Sequence, residues 1–298
     1  MASSIERALK KGTGEEFGEL PSPSDQTIGQ ILVAHGVLDE PDVEVISEYA
    51  MAHELRFGEA ALAKKMIRQK DLDKALAHQF RFPYIQPGRG SLSKELVAAY
   101  KPFSRQAEIF RHIRAQLMLG SLEGGRKMLA VVSPSKKDGR SYLAANLAVV
   151  FAQLGKRTLL VDCHMQNPRQ HKIFRAEGAQ GISSVLLGRG DKSIEPKPIS
   201  EIENLSVFVA GACPPNPDEL VAGDAFGRLC HRYRREYDVV LVDTPPGNSS
   251  TAVDWIAARC GSVLIVYRRH KTRLREARDF SERMRARALV AGAILNRH

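Results

Sequence analysis

The sequence predicts an α/β protein, a mostly parallel sheet with helices on both faces, preceded by a small helical domain. From about Arg126 onward, short β-branched apolar runs alternate with helical stretches, the rhythm of a parallel sheet whose strands are buried on both sides. Between Thr27 and Tyr84 the apolar residues instead keep helical spacing. The 298 residues suffice for one large domain and a smaller one, and 43% hydrophobic with 26% charged residues is an ordinary globular composition.

Residues 1–26 end in the polar run Leu20-Pro-Ser-Pro-Ser-Asp25 and read as a mobile lead with one short amphipathic helix. Residues 27–90 form the helical domain, which contains an internal repeat at an offset of 29 residues. Thr27-Ile-Gly-Gln-Ile-Leu32 aligns with Arg56-Phe-Gly-Glu-Ala-Ala61, Leu38 with Ile67, and Asp42-Val43 with Asp71-Leu72. Each copy reads as helix, turn, helix. Pro83-Tyr84 and the run Gln86-Pro-Gly-Arg-Gly90 close the domain. Residues 91–125 are a connector, helical over 93–123, with Glu108, Arg111 and Arg114 on one face. Residues 126–298 hold the sheet, with strands expected at Met128–Val132, Thr158–Val161, Leu205–Ala210, Asp238–Val242, Ser262–Tyr267 and Leu289–Leu295.

The bulk properties exclude several classes. No apolar run reaches the eighteen or so residues of a membrane span, and the first residues lack the apolar stretch of a secretory signal. Cys163, Cys213, Cys230 and Cys260 lie far apart, without zinc spacing, as expected of reduced thiols in a cytoplasmic protein. The formal charge is +10, and the nine Lys/Arg between Arg268 and Arg287, against Glu276, Asp279 and Glu282, supply a net +6 of it. A solvated helix face is the first reading of that block; a dock for acidic phospholipid or an acidic tail is another. No nucleic acid is expected, because neither interleaved aromatics nor a reading motif accompanies the charge.

Ligands of parallel sheets bind at the carboxyl ends of the strands. The first strand runs into Ser133-Pro-Ser-Lys-Lys-Asp-Gly139-Arg140-Ser141, and a helix is expected over Tyr142–Leu154. A strand-to-helix loop closed by glycine, a cation and a hydroxyl is the layout of a phosphate cradle. Its backbone N–H groups hold the anion, the cation reaches the outer phosphates, and the hydroxyl binds Mg²⁺. The loop therefore offers Ser135, Lys136, Lys137, Asp138, Gly139, Arg140, Ser141 and Tyr142 to a nucleotide such as ATP. Asp162 closes the second strand and Asp243 closes Val239-Val-Leu-Val-Asp243. A carboxylate at a strand end beside a phosphate loop suits Mg²⁺, with Ser141, Asp162 and Asp243 as the candidate ligands. Taken singly, each aspartate could equally be a helix N-cap.

Ser133–Leu160 together with Asp162-Cys-His-Met-Gln-Asn-Pro168 resembles the P-loop-type bacterial tyrosine kinases that accompany exopolysaccharide chain-length determinants. Gly181-Ile-Ser-Ser-Val-Leu-Leu-Gly188, the string Gly211-Ala-Cys-Pro-Pro-Asn-Pro-Asp-Glu-Leu220 and Glu108-x-x-Arg111-x-x-Arg114 extend the resemblance from Glu108 to His298. The resemblance implies phosphoryl transfer from ATP to protein tyrosine. Ser141 and Asp243 would hold Mg²⁺, Asp162 and Arg140 would act in catalysis, and Asn296 would read the adenine, the alternative for Asn296 being a strand-end cap. It further implies an inner-membrane chain-length determinant as partner, bound through its cytoplasmic tail. A homo-oligomeric ring assembled through Glu108, Arg111 and Arg114 is also implied.

This chain departs from the family pattern at five places. Pro134 stands where the loop opens with glycine, and Arg140 where it has lysine; a planar guanidinium does not replace a compact ammonium. His164 takes the position of a second carboxylate, and Gln166 that of an arginine. No tyrosine follows Tyr267, so the family's C-terminal tyrosine cluster is not expected here. These departures keep a non-catalytic, nucleotide-binding scaffold as the rival reading. A partition-type ATPase would place a signature lysine at Ser135. Residues 27–84 resemble the front domain of type II secretion and type IV pilus ATPases, which implies a protein-docking module. Cyclic di-GMP is the alternative ligand, argued from Arg56-Phe-Gly58 but against by Thr27 and Lys65.

Overall fold

The computed structural model describes residues 27–79, 85, 91–177, 180–188 and 194–297. The lead 1–26, Pro83-Tyr84 and the Gln86–Gly90 run lie outside the described residues. Two compact units divide the chain, residues 1–82 and 83–298.

Unit 1 consists of α1 (Ile28–Ala34), α2 (Glu40–Ala52), α3 (Phe57–Ala63) and α4 (Gln69–Gln79). The 29-residue offset of the sequence reappears in its detail. Thr27 and Gln30 close a capping box at α1, and at α3 the Glu59 carboxylate makes the equivalent half of it, accepting from the Arg56 N–H at 3.0 Å. Asp42 accepts from the Asp39 N–H at 3.1 Å, and Asp71 from the Arg68 N–H at 3.2 Å. Gly29 lies against Val43, where a Cβ would come within 2.9 Å, and Gly58 lies likewise against Leu72 at 2.7 Å. Two ring contacts show how the halves are related: His35 meets His78 at 5.5 Å between centroids, and Lys64 sits 5.0 Å over the Tyr49 ring. The offset carries His35 to Lys64 and Tyr49 to His78, so each pair maps onto the other with its members exchanged between halves. That exchange marks an approximate two-fold axis.

Unit 2 begins with α5 (Val97–Tyr100) and α6 (Arg105–Leu119), where the sequence predicted continuous helix over 93–123. Pro102 supplies no N–H in the break, and Ser104 restarts the helix by accepting from the Ala107 N–H at 3.2 Å. The sheet follows: β1 (Met128–Val132), α7 (Arg140–Ala152), β2 (Thr158–Asp162), α8 (Gln170–Ile173), α9 (Ile182–Leu186), β3 (Lys197–Pro198), β4 (Leu205–Phe208), α10 (Pro217–Ala222), α11 (Asp224–Glu236), β5 (Val239–Asp243), α12 (Ala252–Cys260), β6 (Ser262–Arg268), α13 (Leu274–Arg285) and β7 (Leu289–Asn296). The strand order is β3-β4-β2-β5-β1-β6-β7, all parallel except the unpredicted two-residue β3. One face packs against α5–α7, the other against α9–α13. Helix α7, buried from Leu143 to Ala152 with Asn146 the one polar side chain in that stretch, lies in the first layer.

Several boundaries differ from expectation. β4 stops at Phe208 rather than Ala210, because the carbonyls of Val209 and Ala210 accept from the N–H groups of Ile182 and Ser183 at 2.9 and 3.0 Å. That turn requires glycine on both sides: a Cβ on Gly181 would stand 2.2 Å from the Gly211 nitrogen. β2 and β5, in turn, extend through Asp162 and Asp243, which are register partners on neighbouring strands.

Candidate functional site

The loop Ser133–Gly139 lies at the carboxyl end of β1 and hands the chain to α7 through Gly139, whose φ of 107° favours glycine. The loop is held from within. Asp138 is fully buried, and its Oδ2 accepts from the Ser135 N–H at 2.9 Å. Arg140 turns back beneath the loop. Its Nε donates to the Thr244 carbonyl at 2.9 Å and its Nη1 to the Ser135 carbonyl at 2.8 Å and to the Ser133 hydroxyl. Burial lowers the Arg140 pKa while Asp243 and Asp138 oppose the shift, and the group stays charged.

The loop is also held from outside. Arg268 donates to the Lys137 carbonyl, and Lys271 to the Lys136 carbonyl with its Nζ 3.8 Å from Asp138. Glu276 of α13 accepts from the Ser135 hydroxyl at 3.1 Å and from Asn248 at 2.7 Å. The basic segment that sequence reading placed first on a solvated face thus begins as a brace over the phosphate loop. The side chains of Lys136 and Lys137 remain exposed.

Asp162 and Asp243 stand side by side, both fully buried. Asp162 accepts three backbone N–H groups at 3.0 Å, from His164, Arg169 and Gln170, which fold the 162–170 turn around it. Even so, burial first and the Asp243 charge second raise its pKa to about 7. Burial raises Asp243 too, opposed by Arg140 and by hydrogen bonds from Ser141 and Gln170. Gln170 is the residue that sequence reasoning missed. Fully buried, it bridges the Ser141 carbonyl at 3.1 Å and Asp243 Oδ2 at 2.8 Å. No motif announces it, since its value lies in reaching back across the turn. Nearby His164 is neutral at physiological pH, its pKa lowered to about 4 by burial and then by Arg140 and Lys136.

The other named residues sort into two groups. Asn296, at the end of β7, donates to the Asp138 carbonyl at 2.9 Å and closes over Gly139. It lines a cavity of about 630 Å³ with Gly139, Tyr142, Phe110, Val266 and Ile294, directly beside the loop. The Tyr142 hydroxyl accepts from Gln106 at 2.7 Å. Glu108, Arg111 and Arg114 do not line that cavity. Arg111 pairs with Glu108 and donates to the Pro102 carbonyl, while Arg114 turns inward to the Val150 carbonyl at 2.6 Å.

The buried acceptors test whether a cation fits. Asp243 Oδ1 is buried without a hydrogen-bond partner, as are Asp138 Oδ1 and Gln170 Oε1. Two carboxylates, one of them with its pKa raised to about 7 by burial and then by its neighbour's charge, with a hydroxyl at Ser141, form an incomplete shell. Mg²⁺ is bound in this way, by one or two carboxylates completed by waters and phosphate oxygens. The donor set fits the ion.

No family model matches the chain. The putative tyrosine-protein kinase CapB of Staphylococcus aureus is 34% identical over 200 residues, covering 66% of this chain and 86% of that protein. The tyrosine-protein kinase wzc of Salmonella typhi is 32% identical over 203 residues, 68% of this chain but only 28% of its own length. Among solved structures, the chimerical protein CapA2B2 superimposes with a TM-score of 0.65 at 32% identity, covering 76% of this chain and 99% of that one.

Proposed function

The chain belongs to the bacterial tyrosine-kinase family, and on that premise we propose that it binds ATP and Mg²⁺ and transfers phosphoryl groups to protein tyrosine in exopolysaccharide synthesis. The observation that carries this reading is the in-register pair Asp162 and Asp243 beside a strand-to-helix loop, with Asp243 Oδ1 left without a donor. Bound ATP and Mg²⁺ would supply the transferable phosphoryl group and neutralise its charge. Ser141 and Asp243 would hold the metal, with Gln170 fixing the Asp243 carboxylate. A carboxylate has about four acceptor positions, and three N–H groups occupy Asp162. The remaining position, on a group with a pKa of about 7, suits a proton leaving the tyrosine hydroxyl. The cavity floored by Phe110, Tyr142 and Ile294 has the apolar walls a purine needs, and Asn296 stands at its edge.

The proposed partner is the cytoplasmic tail of an inner-membrane chain-length determinant, which would hold the chain at the membrane from the cytoplasmic side. Among the described residues no helix is long and apolar enough to cross a membrane. Ring assembly would use Glu108 and Arg111 from α6; light scattering with and without Arg111→Ala tests it, and a monomer in both cases disposes of it. One observation favours the rival scaffold reading. Arg140 already has three acceptors inside the protein, and must leave them to meet a phosphate. Incubation with labelled ATP, Mg²⁺ and the partner's tail decides between the two. Label on tyrosine supports the kinase; ATP binding without transfer leaves the scaffold.

A further inference from the structure

The two halves of unit 1 repeat each other in structure but not in charge. Residues 27–55 carry the carboxylates Asp39, Glu40, Asp42, Glu44, Glu48 and Glu54, with no lysine or arginine. Residues 56–79 carry six cations, Arg56, Lys64, Lys65, Arg68, Lys70 and Lys74, against three carboxylates. At the 29-residue offset every one of those cations answers to a residue without positive charge: Thr27, His35 (taken as neutral), Gly36, Asp39, Pro41 and Val45. The positions that build the fold are kept, among them the acceptors Asp42 and Asp71 and the contact glycines Gly29 and Gly58. Apart from Lys64 over the Tyr49 ring and Arg68 beside Asp71, the signs diverge where the fold makes no demand.

These charges are available. Asp39, Glu40, Glu44, Glu48 and Glu54 are exposed in the first half, and Arg56, Lys65, Arg68 and Lys70 in the second. Among the described residues, the ion pair in unit 1 is the local Arg68–Asp71 contact, and none joins the two halves. The approximate two-fold axis relates the halves as equivalent surfaces of opposite charge, one acidic and one basic. The acidic surface also carries exposed apolar side chains on α2, Val45 at 43% and Met51 at 84%, beside Glu44 and Glu48. The position equivalent to Val45 is Lys74.

We propose that unit 1 is a head-to-tail self-association module, in which the acidic half of one copy docks on the basic half of a second copy of this chain. Two different surfaces of one molecule meet, and a heterologous contact of this kind extends into a ring or a chain. Charge complementarity selects the orientation, since acidic against acidic or basic against basic is repulsive. The proposal is independent of the nucleotide site and of the α6 residues Glu108, Arg111 and Arg114.

Charge reversal in the full chain tests it by sedimentation velocity. The unaltered protein assembles at about 50 mM salt, and assembly weakens on the order of tenfold at about 0.5 M, where the screening length falls to about 4 Å. Glu44→Lys with Glu48→Lys, and separately Lys70→Glu with Lys74→Glu, each weaken it on the order of tenfold or more. An equimolar mixture of the two variants restores it, because each then offers the surface the other lacks. The neutral versions, with glutamine at the same positions, lose assembly alone and on mixing regain a single native contact, stopping at a pair, and they guard against a reversal that merely unfolds the unit. A protein monomeric at low salt, variants that assemble as the unaltered chain does, or a mixture that stays dissociated would each overturn the proposal.

Discussion

On the loop side of the nucleotide site, the main cation has found acceptors within the protein; on the strand side, acceptors outnumber donors. Arg140 is bonded to Ser133, Ser135 and Thr244, whereas Asp243 and Gln170 each keep a buried oxygen without a partner. An unsatisfied buried oxygen costs on the order of 1–3 kcal/mol, and two adjacent carboxylates add repulsion. The strand side is therefore organised for a cation that the chain does not supply. The loop side leaves only Asp138 Oδ1 without a hydrogen-bond donor among the described residues and satisfies its own cation, and a phosphate must compete with those internal bonds. Ligand uptake should depend steeply on metal and be resisted by the guanidinium.

The comparison can be broken at either side. The largest effect is expected from Asp243→Ala, which removes the orphaned acceptor and the anchor of Ser141 and Gln170. ATP affinity in the presence of Mg²⁺ should fall about 100-fold, with little change in its absence, as read by calorimetry under both conditions. If the metal still strengthens binding in this variant, the strand side has been misread. Arg140→Lys comes next. An ammonium makes fewer bonds to the loop, so ATP should bind about tenfold more tightly. Arg140→Ala, which leaves the three acceptors bare, should instead lower stability by about 2 kcal/mol in denaturant unfolding. Equal ATP affinity for the native protein and the lysine variant would show that the guanidinium does not stand in the way.

The third expectation concerns pH. Asp162 keeps its proton up to about 7, and its ionised form adds a negative charge beside a metal held on Asp243, so Mg²⁺ affinity should rise with pH by up to about tenfold per unit and level off above that value. Affinity independent of pH between 5.5 and 8 (roughly the window either side of that pKa) would deny the coupling. Without metal the sign for stability is opposite. The unfolded chain ionises Asp162 first, so the fold loses stability as pH rises from the ordinary carboxylate range to about 7. His164, lowered to about 4, adds stability over the rise from there toward its usual 6.5. The two trends oppose each other, and the loss should emerge in His164→Asn. The smallest effect is expected from Lys271→Ala, which frees one point of the outer brace and should weaken ATP binding about threefold.

Much of this was legible in the sequence. The strands closed by Asp162 and Asp243 announce themselves, because an apolar run ending in a carboxylate sets that carboxylate at the edge of a parallel sheet where ligands bind. The offset of 29 was visible because helix starts and contact glycines recur at fixed spacing. What stayed hidden depends on side-chain reach. Gln170 lies eight residues beyond Asp162 in an unremarkable polar stretch, and the periodicity that puts Arg114 on one helix face with Arg111 cannot tell a snorkelling guanidinium from one turned to a neighbour's carbonyl. The brace of Arg268, Lys271 and Glu276 could not be read either. Its partners are more than 100 residues away, and a dense basic run looks the same whether it faces water or a loop.

The bare contact between Gly181 and Gly211 bears on how this region can vary. With a Cβ at Gly181 only 2.2 Å from backbone, even alanine would wedge α9 away from the end of β4. The stretch beyond leads to Asp218, which accepts from Ser250, Thr251 and Ala252 and so ties down the turn that follows the Asp243 strand. A single methyl group placed far from any phosphate could thus loosen the floor on which the acidic pair rests. Loss of activity without any change in the residues that touch ligand is the signature to look for at this joint.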